Sequence, residues 1–175
     1  MTVAWFQPLA GASGDMLLGA LLDAGAPLAV VQAAVDAVGT ESIVIEVEPV
    51  LRQGIGATKA SVRVGASSVV RTWANIRGLL GAADLPEPVR VRALEVFERL
   101  AVAEAAVHRT SPEQVHFHEV GALDAVADVV GVCAALHALD VRRVVSAPVA
   151  LGSGMVRSAH GLLPVPGPAV VSLLA

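Results

Sequence analysis

The densest group of side chains able to do chemistry is Val115-His116-Phe117-His118-Glu119, followed by Asp124 and Asp128. In an extended segment His116 and His118 fall on one face, because successive side chains of a strand alternate. Two imidazoles on one strand face can chelate a single metal ion. Glu119 then points the other way unless the strand bends there. In a helical segment His116 and Glu119 pair at i,i+3 instead, and His118 leaves the group. Asp124 and Asp128 stand four residues apart on the predicted helix that follows, so they share a face. Imidazole and carboxylate suit Ni(II), Zn(II) or Mn(II), and they hold a metal without burying it in sulfur, as delivery of a metal requires. The plainer alternative is that the histidines are surface residues and the aspartates satisfy a helix N-terminus.

A second group is Gly11-Ala12-Ser13-Gly14-Asp15-Met16. Small residues before a helix leave backbone N–H groups facing outward, where a phosphate can dock. Ser13, Gly14 and Asp15 are therefore candidate cofactor-binding residues. Asp15 repels a phosphate unless a cation bridges the two. The alternative is an ordinary cap, with Ser13 at the N-cap and Asp15 favourable to the helix dipole. His160 stands beside Gly161 in a loop that can reach a site or solvent, and is a further candidate metal ligand. His108 follows a long helix, where it can cap carbonyl groups. His137 reads as a satisfied structural residue and Cys133 as core. No Ser-His-Asp spacing, Walker loop or dinucleotide fingerprint is present, and no catalytic residue is assigned.

These groups are carried by 175 residues, enough for one domain with a real core. Hydrophobic residues at 55% and charged residues at 16% exclude disorder and leave apolar surface to meet another chain or domain. With aromatics at 3%, the core must be built from Ala, Val and Leu. A net charge of -4 without a Lys/Arg cluster argues against a nucleic-acid partner, and the single lysine, Lys59, reads as compositional bias. One cysteine, Cys133, allows neither an internal disulfide nor a thiolate metal cage. The N-terminus lacks the basic start of a signal peptide. The most apolar stretch, Val120 to Leu139, carries Asp124 and Asp128, which argues against a membrane span. The cytoplasm is the default expectation.

The elements that must position the site follow from periodicity. A strand is expected over Val3 to Phe6, a helix over Asp15 to Ala24 closed by Gly25, and a second helix from Pro27 to Gly39. Ile43, Ile45 and Val47 alternate with Val44, Glu46 and Glu48, and Thr58 to Val64 alternates likewise, which puts Lys59, Ser61 and Arg63 on a wet face. Arg52 to Gly56 reads as a glycine-bearing hairpin connection. Gly65 to Arg71 is a loop and Thr72 to Leu80 a helix. Pro86 and Pro88 open a longer helix to Val107, with Ala93, Val96, Leu100 and Ala103 on its inner face and Glu95 and Arg99 paired outside. Ser111 to Gln114 reads as a capping box. Ala122 to Leu139 is a buried helix, Arg143 to Leu151 a strand, and Gly152 to Gly154 a turn. The expected fold is α/β, with mixed α+β as the variant. It is a single domain over residues 1–175, with a small sheet covered by helices. The apolar run ending at Ala175 suggests continuation of the chain or docking on a partner.

Several of these segments also match a known family. Gly11 to Leu21 looks like its opening motif and Gly54-Ile55-Gly56-Ala57-Thr58 resembles its hairpin. Val115 to Ala122, continued by Asp124, Asp128 and Gly131, is similar to its most distinctive motif. His160-Gly161-Leu162-Leu163-Pro164-Val165-Pro166 matches a further one. In order and together, these resemble the N-terminal part of the LarC family of nickel-insertion proteins. The resemblance implies a part of a lyase-class nickel chelatase acting on pyridinium-3,5-bisthiocarboxylic acid mononucleotide to form the nickel-pincer cofactor of lactate racemase. It implies Ni(II) as the metal held by His116, His118, Glu119, Asp124, Asp128 and His160. It also implies CTP with Mg or Mn bound by a C-terminal domain, absent here, that would be a partner in the same or a separate chain, and an oligomeric assembly. Two features depart from the family: Gln7-Pro8 follows Phe6 where an acid is usual, and residues 65–70 hold no histidine. Two readings compete with this one. The first is a Zn- or Mn-dependent hydrolase using His116, His118 and an aspartate, with Glu119 as general base. The second is a non-catalytic assembly domain.

Overall fold

The structure, a computed structural model, describes residues 1–39, 42–65, 71–117, 123–158 and 161–175. Its elements are β1 (Thr2–Phe6), α1 (Gly14–Asp23), α2 (Leu28–Asp36), β2 (Ile43–Arg52), β3 (Ile55–Val64), α3 (Trp73–Ala82), α4 (Glu87–His108), a 3-10 turn (Pro112–Gln114), α5 (Leu123–Ala138), β4 (Val141–Ser146), β5 (Met155–Ser158), β6 (Gly161–Pro164) and α6 (Pro168–Leu174).

The core forms around α5. Leu123, Val126, Ala127, Val130 and Ala134 are all buried, because this helix is apolar nearly all round and packs against α1, α2 and α4 at once. Gly131 permits a close approach there: a Cβ would stand 3.3 Å from Val31 and 3.4 Å from Leu18. With so few aromatics, the filling is mainly aliphatic side chains, joined by Trp73 and by the rings of Phe97 and Phe117, 6.2 Å apart between centroids. The buried stripe of α4 is Val89, Ala93, Phe97, Ala101 and Ala105, spaced at i,i+4. This corrects the expected face: Val96 is exposed and Leu100 only half-buried, since Phe97 takes the inward position. Glu95 and Arg99 are both exposed and are not among the ion pairs of the described residues.

The strands form three separate pairs: β1 with β4 in parallel, and the antiparallel hairpins β2–β3 and β5–β6. The fold is mixed α/β as expected. β2 and β3 run longer than alternation alone suggested, because the turn closes on Gln53 and Gly54, with φ of 51° and 83°. Two consecutive left-handed residues match the twist of a tight hairpin. Ile43, Ile45 and Ala60 turn inward, while Lys59 and Arg63 face water beside Glu48 and Glu46. The Gln32 side chain of α2 donates to the Ile43 carbonyl (2.8 Å) and accepts from the Ile45 N–H (2.9 Å), which pins that helix to β2.

Three further expectations need correction. The strand at Arg143 begins two residues earlier, pairs in parallel with β1 and ends at Ser146. The hairpin β5–β6 was not expected. Ser111 starts only a 3-10 turn and makes no side-chain cap; the capping box lies at Thr72 and Asn75, which opens α3. Helix α1 ends as expected at Gly25, whose φ is 103°. The N–H groups of Gly25 and Ala26 bond back to Leu22 and Leu21, a Schellman closure. Among the described residues no helix is long and apolar enough to cross a membrane.

Candidate functional site

Asp128 projects from α5 onto the first turn of α1. A Cβ on Gly14 would stand 2.4 Å from Asp128 Oδ2, so only glycine lets the carboxylate sit there. The next residue is Asp15. Its Oδ1 accepts the Met16 N–H at 2.9 Å and the Ser13 hydroxyl. Ser13 does occupy the N-cap position, but its hydroxyl makes no cap bond to the helix. Asp15 therefore satisfies a donor that a bound anion would otherwise use. One turn before Asp128 on α5, the Asp124 carboxylate accepts the Ala125 N–H at 2.9 Å.

Asp128 Oδ1 is buried and has no hydrogen-bond partner among the described residues. Burial pushes the carboxyl up from 3.8 to about 6, and the charges of Asp15 and then Asp124 push it the same way. A buried acceptor without a donor, repelled by two neighbouring carboxylates, is unfavourable unless a proton or a cation supplies the missing charge. Carboxylate oxygens are hard donors of the type a divalent cation takes. Among the described residues no group of three or more His, Cys, Asp or Glu side chains is placed to hold a metal ion.

Of the remaining candidates, His116 lies between buried Val115 and Phe117 and is itself exposed. It is held by a bridge to Thr72 and lines a small cleft with His108, Thr110 and Gln114. His118, Glu119 and His160 lie outside the described residues. So the structure sets Asp128 on Gly14, where the charges of Asp15 and Asp124 bear on it, and places His116 in a cleft that none of these aspartates lines. His108 ends α4 and faces Glu104 at 3.4 Å. His137 is exposed and lines an apolar groove with Val30, Ala33 and Pro86, which corrects its reading as a satisfied structural residue. Cys133 is buried, and burial pushes its thiol up to about 11, as befits core. Ser13 and Met16 also line a cavity of about 570 Å³ with Val149, Ala150 and Leu151, in the loops that follow β1 and β4. The carboxyl ends of parallel strands are where α/β folds collect ligands. The approach of Asp128 to Gly14 had no sequence signal beyond the run of small residues before α1.

This is a mixed α/β metal-site candidate built on two helix starts. The chain belongs to the nickel insertion protein family, whose sequence pattern matches residues 4–175. It is 60% identical to the pyridinium-3,5-bisthiocarboxylic acid mononucleotide nickel insertion protein of Nocardioides sp., over 99% of this chain and 44% of that protein. It is 49% identical to a putative nickel insertion protein of Thermomicrobium roseum, over 100% of this chain and 43% of that one. It is 41% identical to the pyridinium-3,5-bisthiocarboxylic acid mononucleotide nickel insertion protein of Desulfitobacterium hafniense, over 99% and 43% respectively. The chain thus spans less than half the length of these relatives. No solved structure matches it.

Proposed function

We propose that this chain supplies the nickel-handling part of nickel insertion into pyridinium-3,5-bisthiocarboxylic acid mononucleotide. The observation that carries the reading is the orphaned Asp128 Oδ1 on Gly14, between Asp15 and Asp124. Nickel is here a substrate to be passed on. Carboxylates bind Ni(II) through exchangeable hard oxygens, and the softer thiocarboxylates of the mononucleotide then draw it away. His118, Glu119 and His160 are the further ligands, while His116 stands in its own cleft. CTP with Mg or Mn belongs to a partner domain that corresponds to the rest of the relatives' length, joined to this chain or separate. The partly apolar surface suits an oligomeric assembly, and the need for CTP places the reaction in the cytoplasm.

The test is calorimetric titration of Ni(II) at pH 7.5 into the parent, the Asp124→Asn/Asp128→Asn variant and the His116→Ala/His118→Ala variant, with circular dichroism as the folding control. The expected result is a loss of about tenfold or more in each double variant, the effect of removing charged or imidazole ligands. If both variants stay folded and bind nickel as tightly as the parent, the nickel site lies elsewhere and the assignment fails.

A further inference from the structure

The β2–β3 hairpin takes no part in the carboxylate site, although its Gly54-Ile55-Gly56-Ala57-Thr58 run is one of the sequence's distinctive motifs. Its second strand lies directly on α1. A Cβ on Gly19 would stand 2.6 Å from the Thr58 carbonyl oxygen, and the Thr58 hydroxyl donates to Asp23 on the same helix. Between helix and hairpin runs a groove of about 430 Å³, lined by Met16, Ala20 and Ala57. A groove of this size suits a small molecule. Four charged residues also line it: Asp15 and Asp23 from α1, the latter already accepting the Thr58 hydroxyl, and Arg52 and Lys59 from the hairpin.

Both cations are exposed. Lys59 Nζ stands 2.9 Å from Glu48, an exposed pair that can be exchanged for another anion at little cost. Arg52 is in none of the ion pairs of the described residues, and its planar guanidinium matches a phosphate in two parallel hydrogen bonds. One groove therefore offers two phosphate donors, one carboxylate held by the Thr58 hydroxyl, and Asp15, whose charge bears on Asp128. A ligand that fits both the donors and Asp15 has a phosphate and a separate metal-accepting group, with the metal cancelling its repulsion from Asp15. We infer that the groove between α1 and the β2–β3 hairpin seats a pyridinium mononucleotide, with its phosphate on Arg52 and Lys59 and its ring toward Asp15. The inference rests on the nickel-insertion reading above and adds the seat of its organic substrate.

The probe is nicotinic acid mononucleotide, a pyridinium mononucleotide with a ring carboxylate, compared with nicotinic acid riboside, which lacks the phosphate. Binding of each is measured on the full chain, on Arg52→Gln/Lys59→Gln, and on Arg63→Gln as a control. Arg63 shares the hairpin and pairs with Glu46 but does not line the groove. The parent should prefer the mononucleotide by about tenfold or more, as expected for charge-assisted bonds to phosphate. The double variant should lose that preference and Arg63→Gln should keep it. All are surface changes, so folding should persist and circular dichroism confirms it. A parent without preference, a double variant that retains it, or a control that loses it equally overturns the inference. Nickel titration of the same samples separates the two proposals. Nickel binding without phosphate preference refutes the groove alone, and phosphate preference without nickel binding refutes the nickel reading.

Discussion

Asp128 should cost the metal-free protein stability, and Asp128→Asn should return it. The carboxyl is raised from 3.8 to about 6, first by burial and then by Asp15 and Asp124. A folded-state value above the unfolded one means that the native protein holds the proton more tightly between those limits. Below pH 3.8 both states are protonated and the carboxyl imposes no penalty. As pH rises toward 6 the unfolded chain ionises freely while the native one resists, so stability falls, and above 6 the whole penalty applies. The gap corresponds to a ceiling of about 3 kcal/mol, at about 1.4 kcal/mol per pH unit. Water reaches part of this side chain and screens the repulsion, which reduces the expected effect to about 1–2 kcal/mol. An asparagine amide has the size of the carboxyl, carries no charge and can donate toward the neighbouring carboxylates. Urea denaturation in EDTA, for parent and variant at pH 4 and pH 8, measures the difference. The variant should be more stable at pH 8 by about 1–2 kcal/mol, with the gap closing toward pH 4. A variant less stable than the parent at pH 8, or a gap independent of pH, refutes the electrostatic account of this site. Nickel should shift the comparison the other way, because the parent alone keeps the ligand that couples binding to folding.

Gly19→Ala places a methyl 2.6 Å from the Thr58 carbonyl oxygen, a backbone atom that cannot rotate aside. The helix gains up to about 1 kcal/mol in propensity, but the overlap costs about 1–3 kcal/mol, so urea denaturation should show net destabilisation and a neutral result would mean that α1 and β3 are not in contact. Phe97→Ala removes a fully buried ring stacked at a tilt on Phe117 and should cost about 3–5 kcal/mol in the same assay; a loss under about 1 kcal/mol would place that ring outside the core.

Much of the local structure could be read from neighbouring residues alone. Period-two alternation located the β2–β3 hairpin and the wet face that holds Lys59 and Arg63. The all-round apolarity of residues 122–139 marked α5 as buried, Gly25 marked the end of α1, and the four-residue spacing of Asp124 and Asp128 put two acids on one face. These are short-range properties, set by backbone geometry and side-chain type within a few residues. Where two local signals competed, the sequence was less decisive. Ser111-Pro112-Glu113-Gln114 carries the letters of a capping box, yet the chain makes one 3-10 turn there, while Thr72 and Asn75 form the real box. On α4, Phe97 displaced Val96 from the inner face because a large ring gains more by burial than a valine. Tertiary structure alone decided the long-range pairings. It set β1 parallel to β4 across nearly the whole chain and seated α1 on the β3 backbone at Gly19. It also brought Asp128 onto Gly14, more than a hundred residues away. No periodicity encodes that last contact. It exists because α5 packs against α1 through Leu18 and Gly131, and the resulting helix crossing carries a carboxylate from one helix to the N-terminus of the other.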